Sequence, residues 1–338
     1  MFYKFRSQLK RRRFDRIARD VLATSPLGWS LDDGLVFVSQ LRSRDVCMYL
    51  AAVKSIAGQF RAGRVLILDD GLNAADRATI AYHVPGTDFV PVASVDVGRC
   101  PRGGTWERLV TITRACQDAY VVQLDADLLA LGAIMEVADL IQANRSFTLA
   151  TAYTPDFTSR RSVARGIAAQ VAGGDTHVQP VAEAAFDRLP AGFADRYIRG
   201  CSGFAGFAKK GCSFAELERF SVAMEGLLGA KWHGWGSEQV ASNFLIANTP
   251  RPAALPLARY MNFRPGADIA EARLVHFMGT YRFANDVYRD RVRALIRSLH
   301  AGSMPSVSAS APEERPAGGG EPVVPERAID VEVHGARG

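Results

Sequence analysis

Short apolar runs alternate with amphipathic helical segments through the middle of this sequence. Residues 36–38 are typical of a buried strand, and residues 45–61 repeat apolar side chains at helical spacing. Two longer apolar runs, RVLILDDG (64–71) and AYVVQLDAD (119–127), each end in carboxylates, and residues 105–118 form a helical segment between them. Because strands that alternate with helices form parallel β-α-β units, we predict an α/β fold with a mostly parallel central sheet flanked by helices.

The N-terminal segment follows a different pattern. Residues 1–22 place apolar side chains three and four positions apart on a basic helix, with a break between its two halves. The first 20 residues hold eight Lys and Arg against two Asp, which accounts for the whole net charge of +6. Such a helix either docks on an anionic membrane surface or packs on its own domain with a solvated basic face. A transit peptide is a third alternative, against which Asp15 and Asp20 argue.

The composition changes again near residue 300. The last 38 residues contain five Pro and six Gly and almost no aromatic side chains. Such a segment cannot bury enough apolar surface to offset the entropy of ordering it. We therefore predict three parts: a basic amphipathic helix over 1–30, a single domain over 31–300, and a disordered tail over 301–338.

The overall composition excludes several classes of protein. The chain has 338 residues, 48% of them hydrophobic and 22% charged, which is typical of a globular protein. No apolar run approaches the roughly 18 to 20 residues of a membrane-spanning helix. The five cysteines form no C-x-x-C pair, as expected of separate thiols in a reducing compartment. Such thiols favour a cytoplasmic location, with contact at the inner face of a membrane if residues 1–22 dock there. The charge beyond residue 20 is balanced, so we expect no nucleic-acid partner.

The first candidate for chemistry is the pair Asp125 and Asp127, directly after a predicted strand. Open α/β sheets bind ligands outside the carboxyl ends of their strands, and residues i and i+2 of an extended segment point the same way. Two carboxylates at that spacing suit Mg²⁺ or Mn²⁺. A D-x-D pattern is expected about once by chance in a chain of this length, so its position after VVQL gives it weight. The alternative is a solvated acid pair.

The second candidate is the segment HFMGTYR, which contains His276, Gly279 and Arg282. A neutral imidazole can complete a divalent metal site, and a guanidinium beyond a glycine can bind phosphate. The alternative is a packed histidine followed by a surface arginine.

Four motifs in this order resemble a GT-A-type nucleotide-sugar glycosyltransferase: D-x-D at 125–127, C-S-G-F at 201–204, E-Q at 238–239 and H-F-x-G-x-x-R at 276–282. The most similar family is glycosyltransferase family 8, which includes glycogenin and lipopolysaccharide galactosyltransferases. The resemblance extends over about residues 34–285. It implies a Rossmann-like GT-A fold and a nucleotide-sugar donor.

The resemblance also implies roles for single residues. Asp125 and Asp127 would bind Mn²⁺ or Mg²⁺, and Asp125 also the nucleotide sugar, while His276 would be the third metal ligand. Gly279 and Arg282 would bind the diphosphate. Arg282 stands where the family has lysine, so a planar guanidinium replaces a compact ammonium group.

Three further residues are expected to contact the nucleotide by the same resemblance: Ser39, Asp69 and Asp70. The sequence D-D-G is also a good turn on its own, so a turn remains the alternative for the two aspartates.

Glu238 and Gln239 resemble the family's D-Q pair beside the reacting sugar and are the candidate catalytic residues. The implied activity is the metal-dependent transfer of a hexose from a nucleotide sugar, with a UDP-sugar as the favoured donor. The acceptor would be a hydroxyl of a glycan, a lipid-linked sugar or a protein, in cell-surface polysaccharide synthesis. An inverting reaction would need a carboxylate base, for which Glu238 is the best candidate. A retaining reaction would need front-face attack or a transient partner near Gln239 or Glu238. Cys201 stands where the family has Asn, which removes an amide from the sugar site.

Aromatic residues near these motifs allow two interpretations. The segment WHGWG (232–236) is either an acceptor-sugar platform or a buried aromatic cluster. Trp106 and Arg108 are expected to be a core anchor and a solvated charge, and the alternative is that they contact the ligand.

Two other functions are the alternatives to glycosyl transfer. A sugar nucleotidyltransferase would usually carry a G-x-G-T-R-type phosphate loop, and residues 34–45 contain nothing similar. A non-catalytic carbohydrate- or nucleotide-binding relative is disfavoured by the intact aspartate pair and His276.

Overall fold

The computed structural model describes residues 2–172 and 177–303. In chain order, the helices are α1 (Phe2–Ala18), α2 (Val46–Ile56), α3 (Ala74–His83), α4 (Trp106–Ala115), α5 (Met135–Gln142), α6 (Arg160–Ala172), α7 (Val178–Ala184), α8 (Phe214–Leu228), α9 (Ser237–Ala247) and α10 (Val287–His300). The strands are β1 (Ser30–Leu41), β2 (Ala62–Asp69), β3 (Thr87–Pro91), β4 (Tyr120–Leu124), β5 (Leu128–Ala130), β6 (Phe147–Leu149), β7 (Thr158–Ser159), β8 (Arg196–Tyr197), β9 (Cys201–Phe207), β10 (Ala253–Leu255), β11 (Tyr260–Asn262) and β12 (Leu274–His276).

The central sheet has seven strands in the order β10-β6-β9-β4-β1-β2-β3. Strands β1 to β4 run parallel, as the alternation of apolar runs and helices predicts, and β10 is parallel to β6. Strand β9 runs antiparallel to both of its neighbours. The predicted α/β fold with a mostly parallel sheet is therefore confirmed. The antiparallel β9 places its first residues, rather than its last, at the edge where β4 ends.

The predicted helix over 45–61 corresponds to α2 and a short 3-10 turn after it. Its apolar residues Tyr49, Leu50, Val53 and Ile56 are fully buried against the sheet. Fully burying side chains of this size contributes roughly 1.5 to 3 kcal/mol each. This packing therefore fixes α2 against the sheet, as its helical spacing predicts.

A second, three-stranded sheet in the order β11-β12-β5 connects the two predicted motifs. Strand β5 begins directly after Asp127, and β12 ends at His276, which lies opposite Leu128 in the antiparallel pair. The backbone N–H of Phe277 donates to the carbonyl of Asp127 over 2.9 Å. This pairing brings together two segments that are about 150 positions apart in the sequence.

Helix α1 runs without interruption from Phe2 to Ala18 and is followed by a 3-10 turn over Arg19–Ala23. Phe14, Ala18 and Val21 are buried in the same core as the central sheet, and the Phe14 ring stacks on Tyr288 of α10 at 4.5 Å. The apolar stripe from residue 14 onward therefore packs on the protein's own domain.

Among the described residues, no helix is both long and apolar enough to cross a bilayer. The predicted disorder of the tail lies almost entirely outside the described residues, since the description ends at residue 303.

Candidate metal centre and active site

Asp125, Asp127 and His276 converge at the carboxyl edge of the central sheet. Each offers one ligand atom, and these atoms all lie within 4.8 Å of one another. The Nε2 atom of His276 is 3.1 Å from Asp127 Oδ1 and 3.7 Å from Asp125 Oδ2. Asp127 and His276 are buried, whereas Asp125 is half-buried. The two sequence motifs therefore meet, as the metal-site interpretation requires.

Gly203 of β9 makes room for the imidazole. A Cβ atom at this position would lie 2.7 Å from Nδ1 and 2.8 Å from Nε2 of His276, closer than real side chains approach. The carbonyl of Gly203 also accepts a hydrogen bond from the N–H of Asp125 over 2.9 Å. The C-S-G segment thus seats the histidine ring beside the aspartate pair.

The donor set fits a divalent cation. Two carboxylates and one imidazole suit Mn²⁺ or Mg²⁺, and they point toward a common volume. Burial opposes ionisation of Asp127, but the charges of His276 and Arg282 outweigh it and lower the pKa of that carboxyl to about 2. Burial likewise opposes the imidazolium of His276, but the charge of Asp127 and its hydrogen bond raise the pKa of the imidazole well above the ordinary value. The carboxylate is therefore ionised across the neutral range.

Arg282 lies beside the same carboxylate. Its Nη2 is 2.5 Å from Asp127 Oδ2, and its Nε donates to the carbonyl of Phe277 over 3.1 Å. Gly279 adopts φ = +58°, in the left-handed region that glycine enters most easily, and this turn leads the chain back toward the site. The cluster therefore places two cationic groups next to the two carboxylates.

Arg108 of α4 joins this cluster, and its interpretation as a solvated charge is wrong. It is 3% exposed and forms an ion pair with Asp125. Its Nη2 lies 3.8 Å from Glu238 Oε1 and 3.5 Å from the carbonyl of Ser202. Burial lowers the pKa of Arg108, but Asp125 and Glu238 outweigh it and raise the pKa overall. The sequence holds a signal for this placement, since Arg108 precedes the buried Ile112 by four positions and shares its helix face.

Glu238, at the start of α9, is 2% exposed. Burial raises the pKa of its carboxyl, and the charge of Arg108 and a hydrogen bond from Thr105 oppose that shift. The hydroxyls of Thr105 and Ser202 donate to Glu238 Oε2 over 3.0 and 3.3 Å. Glu238 therefore shares Arg108 with Asp125, which connects it to the metal-ligand cluster.

Gln239 lies beside it in the same helix. The Oε1 of Gln239 accepts from the backbone N–H of Ser202 over 3.2 Å, and its Nε2 donates to Gln179 Oε1 over 3.0 Å. Trp106 anchors the start of the same helix, because its indole N–H donates to Ser237 Oγ over 2.9 Å. Trp106 is fully buried, as expected of a core anchor.

The residues expected near the nucleotide lie at the ends of β1 and β2. The hydroxyl of Ser39 is buried and donates to the carbonyl of Leu124 over 2.6 Å. Asp69 accepts from the N–H groups of Gly71 and Leu72 and from Arg77, which is the geometry of a turn. Asp70 pairs with Arg42 at 2.8 Å. All three residues lie at the same edge of the sheet as Asp125. Asp69 and Asp70 follow β2, two strand spacings or about 10 Å from β4, whereas Ser39 lies in β1, the direct neighbour of β4.

The aromatic segment 232–236 divides into two environments. Trp232 is fully buried and its indole N–H donates to Ser221 Oγ over 3.0 Å. Trp235 is 71% exposed, with its ring 5.8 Å from His177 in an edge contact. His233 is exposed and its Nε2 is 2.8 Å from Glu225. The buried-cluster interpretation therefore holds for Trp232, whereas the acceptor-platform interpretation stays a prediction for the exposed Trp235.

The sequence matches no protein-family model and no curated protein. Solved structures with some likeness to this chain include WbbM, a bifunctional glycosyltransferase (15% identity, 78% of this chain and 52% of that one, TM-score 0.46). Another is an active-site mutant of LgtC, with 14% identity over 82% of this chain and 98% of that one and a TM-score of 0.47. A third is mouse xyloside xylosyltransferase 1, with 13% identity over 75% of this chain and 97% of that one and a TM-score of 0.42. This chain spans about half the length of WbbM. At these identities and TM-scores, the likeness does not indicate the function of this chain.

Proposed function

We propose that this protein is a metal-dependent glycosyltransferase of the GT-A type, most like family 8, that uses a nucleotide-diphosphate sugar. The observation that carries the proposal is the convergence of Asp125, Asp127 and His276 beside Arg282, at the edge of the sheet where such folds bind ligands. A UDP-sugar is the favoured donor. The acceptor is a hydroxyl of a glycan, a lipid-linked sugar or a protein, in cell-surface polysaccharide synthesis.

In the proposed donor site, the metal and the diphosphate bind at one end and the base and ribose of the nucleotide bind at the other. Mn²⁺ or Mg²⁺ held by Asp125, Asp127 and His276 would offset the charge that develops on the leaving diphosphate. Arg282 exchanges its contact with Asp127 for the diphosphate, and Gly279 lets the backbone come close to a phosphate. Ser39, Asp69 and Asp70 lie on the side where base and ribose would bind.

The proposed reacting centre lies between Asp125 and Gln239. Arg108 holds Asp125 on one side and lies near Glu238 on the other, so it fixes the distance between the two carboxylates. In an inverting reaction Glu238 accepts the proton of the acceptor hydroxyl, a role that its raised pKa favours. In a retaining reaction Gln239 lies beside the anomeric carbon, and Glu238 orients the sugar through Ser202.

We further propose that the basic face of α1 contacts an anionic membrane at the cytoplasmic side. Lys10, Arg12, Arg13, Arg16 and Arg19 are exposed. Since Phe14 and Val21 are buried, this contact is electrostatic and needs no insertion of that apolar stripe. Each cation near such a surface contributes about 1 kcal/mol.

Flotation on phosphatidylglycerol-containing vesicles tests the membrane proposal. The variant Arg12→Ser, Arg13→Ser, Arg16→Ser should lose binding that the wild type shows only at low salt. Substitution is preferable to deletion of the helix, which would remove core residues. Equal flotation of the two proteins would contradict the proposal.

A thermal-shift panel tests the main proposal. UDP, GDP, CMP and dTDP are each added with and without Mn²⁺, and we expect one nucleotide to stabilise the protein only with metal present. Saturation at 100 times the dissociation constant adds about 2.7 kcal/mol to the free energy of unfolding. Asp125→Asn and Asp127→Asn should abolish the shift, while Asp118→Asn, at an exposed position, serves as a matched control.

Three outcomes would contradict the proposal in different ways. If Asp125→Asn and Asp127→Asn bind the nucleotide as tightly as the wild type, the assigned site is wrong. Metal-dependent nucleotide binding without release of the nucleotide from its sugar would favour a non-catalytic binding protein. Release of pyrophosphate from a nucleoside triphosphate and a sugar phosphate would favour a nucleotidyltransferase.

A further inference from the structure

Two side chains reach the Nδ1 atom of His276, on the side of the ring away from the aspartates. Asn262 Oδ1 lies 3.0 Å from Nδ1, and Cys201 Sγ lies 3.3 Å from it. Neither residue belongs to the group of metal-ligating side chains. Both contacts therefore act on the imidazole rather than directly on a cation.

The backbone holds Asn262 in place. It is the last residue of β11 and lies opposite His276 in the parallel pair with β12. The N–H of the next residue, Phe263, donates to the carbonyl of His276 over 2.8 Å. Facing positions in paired strands put their side chains on the same face of the sheet. The contact between Asn262 and His276 is thus a consequence of strand register.

The two neighbours favour opposite tautomers of the imidazole. A cation can bind Nε2 only when that nitrogen carries a lone pair, and a neutral ring then has its proton on Nδ1. The carbonyl oxygen of Asn262 can only accept, so it stabilises the Nδ1–H form. A thiol can donate to Nδ1 and so stabilises the form with the proton on Nε2, which faces Asp127.

We propose that Asn262 is the positioning residue that keeps the Nε2 lone pair of His276 directed at the cation site, against the Cys201 thiol. The inference rests on the proposed cation site. Histidines that bind metals generally donate their second ring N–H to an oxygen, and loss of that partner weakens metal affinity about 10- to 100-fold. His276 is 3% exposed and its ring rests against Gly203, so water cannot readily replace the amide.

Mn²⁺ binding to the full-length protein, measured by electron paramagnetic resonance of the free ion, tests the proposal without an activity assay. Asn262→Leu should weaken binding about 10- to 100-fold. Asn262→Asp keeps an acceptor at Nδ1 and should bind within about threefold of the wild type or more tightly. Cys201→Ala removes only the competing donor and should not weaken binding. Met261→Leu, at the preceding position of β11, is the matched control.

Nitrogen-15 NMR of the imidazole in the Mg²⁺-loaded protein gives a second readout that a purely steric role would not change. The wild type should show the proton on Nδ1, and Asn262→Leu should show a larger fraction with the proton on Nε2. Should Asn262→Leu fail to fold, the wild-type spectrum and Asn262→Asp decide the question.

Wild-type affinity in Asn262→Leu, or equally weak binding in Asn262→Leu and Asn262→Asp, would overturn the role of Asn262 and leave the cation site intact. A wild-type spectrum with the proton on Nε2 would have the same consequence. A wild-type protein that binds no Mn²⁺ at millimolar concentration would overturn both this inference and the proposed function.

Discussion

Arg108 and Asp125 form an ion pair that joins the first turn of α4 to the end of β4. The arginine side chain is 4% exposed, whereas the aspartate side chain is 31% exposed and faces the metal-ligand cluster. The same guanidinium lies 3.8 Å from Glu238 at the start of α9. The buried guanidinium of Arg108 therefore contacts two carboxylates that come from different parts of the chain.

Arg108→Met should destabilise the protein strongly, because it leaves the buried Glu238 without its cation. Removing one partner of a buried ion pair costs about 3 to 5 kcal/mol of unfolding free energy. Because Asp125 is partly exposed to water, we expect a loss at the lower end of this range, about 3 kcal/mol. Urea unfolding at pH 7 measures the change. Arg114→Met on the exposed side of the same helix, where Arg114 stacks on Phe214, should cost under about 1 kcal/mol. Equal losses in the two variants would contradict a special role for Arg108.

Gly203→Ala should impair metal binding, because the added methyl group would occupy the space of the His276 imidazole. We expect at least about a tenfold loss of Mn²⁺ affinity by isothermal titration calorimetry, comparable to the loss of a histidine's supporting contact. Gly206→Ala in the same strand is the matched control, since its methyl group would press on Phe147 and Tyr120 instead. That variant should lose stability and keep its metal affinity for as long as it is folded. Unchanged affinity in Gly203→Ala would contradict the placement of His276.

Acid should weaken the fold through His83. Burial and the nearby charge of Lys54 lower the pKa of His83 to about 4, from an ordinary value of 6.5, and the Lys54 ammonium donates to its Nδ1 over 3.0 Å. Between these pH values the unfolded chain binds a proton at His83 that the folded protein does not. The contribution of the neutral His83 to the free energy of unfolding is therefore complete above pH 6.5 and is lost as the pH falls toward 4.

His83→Asn keeps an acceptor for Lys54 and removes this titration. From pH 7 to pH 5, the wild type should lose about 1 to 2 kcal/mol more unfolding free energy than the variant. Urea unfolding at the two pH values measures the difference. Tyr82→Asn, at the exposed neighbouring position, should keep the wild-type pH dependence. Parallel pH profiles of the wild type and His83→Asn would show that His83 does not titrate in this way.

The two tryptophans near α9 should differ sharply in their effects. Trp232→Ala removes a fully buried indole and should cost about 3 to 5 kcal/mol of unfolding free energy. Trp235→Ala should change stability by less than about 0.5 kcal/mol, because that side chain is exposed. If Trp235 stacks on an acceptor sugar, its loss should raise the acceptor KM about fivefold, for about 1 kcal/mol, and leave donor hydrolysis unchanged. A large loss of stability in Trp235→Ala would contradict its exposed placement.

The sequence pattern predicts the parallel part of the sheet well because each strand and helix there carries its own local signal. Strands β2 and β4 are continuous apolar runs, and the buried face of α2 repeats at helical spacing. Helix α1 carries no such unambiguous signal. The exposed cations and buried Phe14 agree with a helix packed on its own domain, which the sequence left as one of three alternatives.

Arg108 shows the limit of local reasoning, because its helix face signals burial but its partners cannot be read from the sequence around it. A charged residue is normally solvated, and only its partners Asp125 and Glu238, 17 and 130 positions away, make its burial tolerable. Asn262 is similar, since its contact with His276 depends on strand register and leaves no mark in the sequence around it.

The sequence by itself determined the α/β class, the acidic ends of two strands and the residue types that a cation site requires, because these depend on periodicity and on chemistry within a few positions. The tertiary structure alone decided which groups share one volume: His276 with Asp127, Arg108 with Glu238, Gly203 beneath the imidazole. Those contacts join segments far apart in the chain through sheet order and strand register. Long-range pairings of this kind arise when the whole core packs, and no local pattern encodes them.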